Sequence, residues 1–138
     1  MPELPEVEVI KKSLNYRLKN QSITNVWTSK FRMRSQLTAQ DQELVKGKMI
    51  EKVSRIGKFL VIQLPDSFLL LHFGMSGRLL IAKNNEEIKK IQSTKHAHFL
   101  LGLSSICIFL RDHRRFGGVR LVRKSEADSI LSLKKILN

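Results

Sequence analysis

The chain has 138 residues, 42% of them hydrophobic, and 25 lysines and arginines against 12 acidic residues give it a net charge of +13. This composition excludes a disordered chain and suffices for one domain with a core. The positive excess indicates a polyanionic partner, with nucleic acid the first candidate and an anionic membrane surface the second. Charge alone does not separate these from a soluble basic protein without such a partner. A single cysteine, Cys107, excludes an internal disulfide and a multi-cysteine zinc site, so we interpret it as a small buried hydrophobic residue.

The first residues carry acids where a secretory signal needs a basic segment followed by an apolar one. The longest apolar runs, such as 68–71, are too short to span a bilayer. We therefore expect a cytoplasmic protein without membrane contact, associated with the nucleoid if it is bacterial.

Apolar residues recur at helical spacing near the N-terminus and predict a helix from Pro5 to Leu18. Pro5 suits the first helical turn, where its missing N–H costs nothing. A short helix is predicted over 40–45, whereas the polar segment 84–92 is expected to be an exposed loop. Ser125 and Asp128 resemble a capping box before a last short helix, whose apolar residues 130, 131, 133 and 136 lack an obvious partner.

Between these segments lie short apolar runs punctuated by turns, which are typical of β-strands. Their close spacing implies hairpins and predicts an antiparallel sandwich or barrel. The predicted strands are 23–33, 49–56, 59–64, 68–73, 78–82, 97–103, 106–110 and 119–122.

The N-terminus offers a nucleophile. A small residue after Met1 favours removal of that methionine, which leaves Pro2 with a secondary amine. Terminal amines titrate near 7.7–8 in model peptides, against about 10.4 for lysine, so much more of this amine is free to attack carbon at neutral pH. Glu3 and Glu6 are candidates to shuttle protons beside it. Taken alone, the tripeptide is more simply a polar start to a capped helix.

Two turns follow, one suited to contact with an anion and the other to an apolar wedge in a DNA groove. In the segment 55–58, Gly57 allows a tight turn from which Lys58 can reach a phosphate, although a solvated hairpin turn would look the same. In the Gly-rich segment 72–77, Met75 stands at the tip, where an apolar side chain could wedge into a DNA groove. For a lone methionine, packing into the core is the simpler expectation.

A third turn, 111–118, interleaves cations with an aromatic residue. Arg114 can hold a phosphate or a base edge and Phe116 can stack, unless the turn is only a charged hairpin with Phe116 beneath it. His96 and His98 would share one face of a strand. A metal site would need a third ligand and none stands out, so phosphate contact or simple solvation ranks above metal.

Taken in order, these clusters resemble the motifs of the formamidopyrimidine-DNA glycosylase family, and the resemblance covers nearly the whole chain. Leu4 and the Val7-Glu8 pair favour this branch over endonuclease VIII, whose opening usually has glycine after Pro-Glu. His113 departs from the family, which usually has proline there. The matching segments are 1–8, the turn with Lys58, 72–77, 95–98 and 114–117.

The resemblance implies an α+β, mainly β fold: a two-sheet antiparallel β-sandwich with an N-terminal helix and a short C-terminal helix. It identifies 1–138 as a single N-terminal catalytic domain without the family's helix–two-turn–helix and zinc-finger half. One cysteine cannot form a four-cysteine finger, so no cofactor is expected in this chain. The expected partner is double-stranded DNA with damaged bases, bound by a monomer.

The implied activity is that of a bifunctional DNA glycosylase/AP lyase of base-excision repair, which removes 8-oxoguanine and formamidopyrimidines. The amine of Pro2 would attack the sugar C1′ and form a Schiff base, and β- and δ-eliminations would then cut the strand. Glu3 would move protons at the sugar with Glu6 in support. Lys58, His72 and, with less support, His96 would grip phosphates, while the hole left by the everted base would be filled by Met75, Arg114 and Phe116.

Three hypotheses remain open at this point: an active catalytic domain, a binding protein that recognises DNA without turning it over, and a natural fragment with little activity. Pro2, Glu3, Glu6 and Lys58 are all present, which favours retained chemistry. The absent half favours weak activity in isolation, since its phosphate contacts would be lost.

Overall fold

In the described part of the chain, the short apolar runs fold into eight strands, with four helices around them. The computed structural model describes residues 4–28, 37–57, 59–72, 78–93, 97–111 and 118–127. In chain order the elements are α1 (Leu4–Leu18), β1 (Ile23–Thr28), α2 (Ala39–Val45), β2 (Lys52–Ile56), β3 (Phe59–Gln63), β4 (Ser67–His72), β5 (Arg78–Ala82), α3 (Asn85–Gln92), β6 (Ala97–Leu103), β7 (Cys107–Arg111), β8 (Gly118–Arg123) and α4 (Lys124–Ala127). None of these described helices has the length and apolar character that a membrane span requires.

The strands form two antiparallel sheets of four. The first sheet has the order β2-β3-β4-β8 and the second has the order β1-β6-β7-β5. The chain passes between the sheets from β1 to β2, from β4 to β5 and from β7 to β8. The predicted mainly β sandwich, with an N-terminal helix and a short C-terminal helix, is confirmed.

The core lies between the two sheets and follows the alternation of side chains along each strand. Every second residue of a strand points inward, and burying one such side chain contributes about 1.5–3 kcal/mol. The inward, almost fully buried residues include Leu60, Ile62, Leu69 and Leu71 from the first sheet and Phe99, Leu101, Ile108 and Leu110 from the second.

Helix α1 lies along β2, the edge strand of the first sheet. Its Leu14 and Leu18 are buried in the core. The side-chain oxygen of Asn15 accepts a hydrogen bond of 2.8 Å from the backbone N–H of Val53, so part of the exposed strand edge is satisfied by the helix. The helix predicted from Pro5 to Leu18 is confirmed and begins one residue earlier.

The exposed loop predicted over 84–92 is wrong, because the segment forms helix α3. The side chain of Asn84 caps its first turn by accepting a hydrogen bond from Glu87 N, and the Glu87 carboxylate accepts one from Lys83 N. The apolar side chains of α3 pack on the outer face of the second sheet, in a cluster of Ile88, Ile91, Trp27, Leu80, Ala82, Leu100, Cys107 and Phe109.

The capping-box prediction at the C-terminal end is also wrong. Helix α4 begins at Lys124, so Ser125 lies inside the helix and is not its N-cap. The apolar residues 130, 131, 133 and 136 of the predicted last helix lie outside the described residues. Cys107 packs within the outer cluster, and burial raises the pKa of its thiol, in agreement with its interpretation as a hydrophobic residue.

Candidate active site and nucleic-acid interface

Strand ends from both sheets meet at one end of the sandwich, which we call the site end. Residues 73–77 connect β4 to β5, and residues 112–117 connect β7 to β8. At the opposite end of the sandwich, Ile23 N donates a hydrogen bond to the carbonyl oxygen of Lys48, and Ile50 N donates one to that of Gln21. The starts of β1 and β2 therefore lie together, and each connection joins strand ends on the same side. The site end is marked by Phe59, His72 and Gly118, paired across the first sheet, and by Arg78, Arg111 and Ala97, paired across the second.

One guanidinium ties α1 to the turn between β2 and β3. Arg55 Nε donates a hydrogen bond of 2.7 Å to Glu8 Oε2 in α1, and Arg55 Nη1 donates one of 2.8 Å to the carbonyl oxygen of Gly57. Gly57 has φ +58°, a left-handed conformation that favours glycine. Since Asn15 bonds further back along β2, the first turn of α1 is directed toward the site end.

The Glu8 carboxylate is held in its charged form. Hydrogen bonds from Arg55 and then from Lys11, whose Nζ lies 3.1 Å from Glu8 Oε1, lower the pKa of Glu8 below its ordinary value. Both side chains of the Glu8–Arg55 pair are half-buried. A pair of this exposure contributes little to stability, so its main effect is to fix the position of α1 relative to the turn.

His72 is the one predicted site residue whose side chain the structure describes. It ends β4 at the site end, is half-buried and faces Phe59 with 4.9 Å between ring centroids and 41° between ring planes. This contact holds the imidazole on the edge of the first sheet beside the turn that precedes Phe59. The position is compatible with phosphate contact, which stays a prediction.

The other predicted site residues lie close, along the chain, to residues of the site end. Glu6 lies in the described backbone of α1, while its side chain lies outside the described residues. Each of the remaining residues is close in sequence to a described residue at this end or in the first turn of α1. Those outside the described residues are Pro2, Glu3, Lys58, Met75, His96, Arg114 and Phe116.

The second sheet departs from regular alternation at the predicted histidine pair. The register of β6 against β7 is irregular between Ala97 and Phe99, and His98 is 1% exposed. His98 is therefore not solvated. The prediction that it shares one face with His96 is not tested, because His96 lies outside the described residues. Among the described residues, no group of three potential ligands could hold a metal ion.

Two positively charged residues at the site end were not singled out from the sequence. Arg78 and Arg111 are direct partners across β5 and β7. The Nε atom of Arg111 is buried, and no described residue accepts a hydrogen bond from it. Sequence patterning could not reveal the pair, because it depends on the register of two strands that are not consecutive.

The sequence and the fold match known proteins. Residues 1–119 match the formamidopyrimidine-DNA glycosylase N-terminal domain. A formamidopyrimidine-DNA glycosylase of Wolbachia pipientis subsp. Culex pipiens is 36% identical over 129 residues, which are 91% of this chain and 45% of that protein. One from Legionella pneumophila is 35% identical over 118 residues, or 85% of this chain and 41% of that protein.

Solved structures give the same result. The Lactococcus lactis Fpg in complex with abasic-site DNA matches with a TM-score of 0.82 and 28% identity, over 97% of this chain and 49% of that one. Its complex with Fapy-dG-containing DNA gives a TM-score of 0.81 at 28% identity, over 96% and 49%.

The fold and the matches together define the class of protein: an N-terminal β-sandwich domain with a helix along one edge of a sheet. The chain belongs to the formamidopyrimidine-DNA glycosylase family. It spans about half the length of the relatives it matches.

Proposed function

We propose that this chain acts inside the cell, as a monomer, on double-stranded DNA that contains oxidised purines, as a bifunctional DNA glycosylase/AP lyase. The observation that carries the proposal is the family match over residues 1–119. The Glu8–Arg55–Gly57 contacts support it, because they direct the first turn of α1 toward the site end. The net charge of +13 suits a polyanionic substrate.

In the proposed reaction the unprotonated amine of Pro2 attacks C1′ of the damaged nucleotide. The electron pair of the glycosidic bond leaves with the base, which takes up a proton, and the amine loses its proton. The nitrogen lone pair then breaks the C1′–O4′ bond, O4′ takes up a proton as the sugar ring opens, and an iminium forms between nitrogen and C1′. Removal of a C2′ proton then expels the 3′ phosphate, and a further elimination expels the 5′ phosphate. Glu3, supported by Glu6, moves these protons.

The remaining predicted residues hold the DNA in place for this chemistry. Lys58 and His72, with His96 beside them, contact phosphates around the everted nucleotide. Met75, Arg114 and Phe116 fill the space that the base leaves, because the target has to leave the stack before its C1′ can be reached. No cofactor takes part in these steps.

Borohydride trapping tests the proposal. The chain with Met1 removed is mixed at low salt with a duplex that contains 8-oxoguanine or an abasic site, the iminium is reduced, and a covalent protein–DNA band is sought. We expect a band that disappears when the Pro2 nitrogen is blocked by retained Met1 or by acetylation. Absence of a band, with a full-length family member as positive control, would overturn the proposed activity.

A second candidate function is recognition of DNA without turnover. It is favoured by the net charge of +13, which suits binding to DNA and requires no catalytic group. The two functions are distinguished by measuring binding and trapping on the same duplex. Saturable binding without an adduct would support recognition alone.

A further inference from the structure

Two arginines lie side by side on the outer face of the second sheet, at the site end. Arg78 begins β5 and Arg111 ends β7, and the two are directly opposite each other in the strand register. Because side chains alternate along a strand, Arg78 lies on the same face as Leu80, and Arg111 on the same face as Phe109. Both apolar residues belong to the outer cluster under α3. The two arginines therefore lie on the same outer face, next to this cluster and closer to the site end.

The pair concentrates positive charge, and one of its donors has no acceptor among the described residues. Like charges directly opposite each other on neighbouring strands repel. Arg111 Nε is also buried with no acceptor among the described residues, and a buried N–H of a charged group is costly when it lacks a partner. Arg111 as a whole is only partly buried and Arg78 is exposed, so an external group can reach the pair.

The charges on α3 increase the positive potential near the pair. The helix follows β5 in the chain and returns toward the start of β6 at the site end, so its last turn lies on the side of the arginines. That turn carries Lys89 and Lys90, whereas Glu86 and Glu87 lie in the first turn, at the far end. An anion at the site end would therefore meet lysines before it meets the acids of this helix.

We propose that Arg78 and Arg111 hold a backbone phosphate of duplex DNA, at a site separate from the phosphates assigned to Lys58 and His72. This inference rests on the proposed function, because it takes DNA as the ligand. A guanidinium presents several N–H donors in a planar fork that fits phosphate oxygens, and one phosphate between two guanidiniums offsets their repulsion. The pair flanks the segments 73–77 and 112–117, which carry the residues predicted to enter the DNA.

A phosphate site and a purely structural pair of arginines predict different changes in melting temperature and in DNA affinity. Arg111→Gln removes the positive charge and keeps a polar group near the position of Nε, so it should preserve the melting temperature of the free protein. The same change should weaken DNA binding. An arginine that serves only the fold would show the reverse pattern, with a lower melting temperature and unchanged binding.

The experiment compares Arg111→Gln with Arg17→Gln, which removes the same charge from the last turn of α1. Dissociation constants of the full chain for a labelled duplex with an abasic-site analogue are measured by fluorescence anisotropy over a salt series. For Arg111→Gln we expect a salt slope shallower by about 0.9, as for one lost phosphate contact, and about tenfold weaker binding at low salt. Arg17→Gln should match the unsubstituted chain.

The possible results separate the two proposals. Equal slopes for Arg111→Gln and Arg17→Gln, with DNA bound by both, would overturn the phosphate site and leave the proposed function standing. Failure of the unsubstituted chain to bind the duplex at low salt would overturn both. If Arg111→Gln does not fold, Arg78→Gln provides the same measurement on the exposed partner, with the same expected change in slope.

Discussion

Helix α1 lies along the edge of the first sheet and helix α3 lies on the outer face of the second. Both bury apolar side chains, but only α1 is also joined to its sheet by directional polar contacts between described residues. Directional polar contacts position α1 on the first sheet: Asn15 with Val53 N at 2.8 Å and Glu8 with Arg55 at 2.7 Å. On the second sheet, Ile88 and Ile91 pack α3 against an apolar surface. Hydrogen bonds fix distance and direction, whereas apolar packing tolerates small shifts. The helix that follows the predicted nucleophile, α1, is the one whose position along β2 is fixed by polar contacts.

The largest effect is expected from breaking the polar connection of α1. Glu8→Gln should lower the single-turnover rate of trapping on an abasic duplex by up to about a hundredfold, because a shift of about 1 Å in the nucleophile is enough for such a loss. Thermal unfolding should change little, since the pair is half-exposed. Arg55→Gln should cause at least as large a loss, because it breaks the contact with Glu8 and also removes the hydrogen bond to the Gly57 carbonyl oxygen.

The matched control is Glu43→Gln, which removes an i,i+3 ion pair with Lys46 on α2. Its trapping rate should equal that of the unsubstituted chain. A normal rate for Glu8→Gln would show that the contact with Arg55 does not position the terminus.

The opposite pattern is expected for α3. Ile88→Ala should lower the free energy of unfolding by about 2 kcal/mol, because it removes part of a packed but incompletely buried side chain. The trapping rate per folded molecule should stay the same. Urea denaturation and single-turnover trapping measure the two quantities. A loss of rate at full folding would mean that α3 also positions the reacting groups.

A smaller effect is expected at the cap of α3. Asn84→Ala removes the side-chain acceptor for Glu87 N and should cost about 1 kcal/mol of unfolding free energy. The neighbouring Asn85→Ala, on an exposed side chain in the first turn, serves as the control and should change stability by less than about 0.5 kcal/mol. Equal losses in the two variants would argue against capping by Asn84.

The smallest effect is a pH dependence of the Glu8 contact. The pKa of Glu8 is lowered in the folded protein from its ordinary value of 4.5. Its stabilisation is therefore fully present above that value and is lost as the pH falls through the lowered pKa. The difference in unfolding free energy between the unsubstituted chain and Glu8→Gln should shrink between about pH 6 and about pH 3. A constant difference over this range would contradict the assignment.

The strands were the most predictable part of the fold. The predicted ranges 78–82 and 97–103 agree with β5 and β6 because their apolar runs are bounded by turn residues. Helix α3 was missed because two isoleucines in a charged segment are a weak periodic signal, and its packing surface comes from distant strands. The spacing of Asn84 and Glu87 was a readable capping signal for this helix.

The candidate site was predictable only in part. Sequence motifs select the family, and His72 lies at the end of a strand where the predicted turn begins. The positioning contact of Arg55 could not be predicted, since its partner Glu8 is 47 residues away. His98 is buried next to an irregular register, and periodicity reveals neither feature. The roles of Pro2 and the other residues outside the described ranges stay predictions.

The most direct test of the account is to locate the covalent bond to DNA. The reduced adduct with abasic DNA is digested with nuclease and protease, and the modified peptide is sequenced by mass spectrometry. The account predicts a sugar remnant on the nitrogen of Pro2 in the N-terminal peptide. A remnant on a lysine side chain, with an unmodified N-terminal peptide, would contradict it.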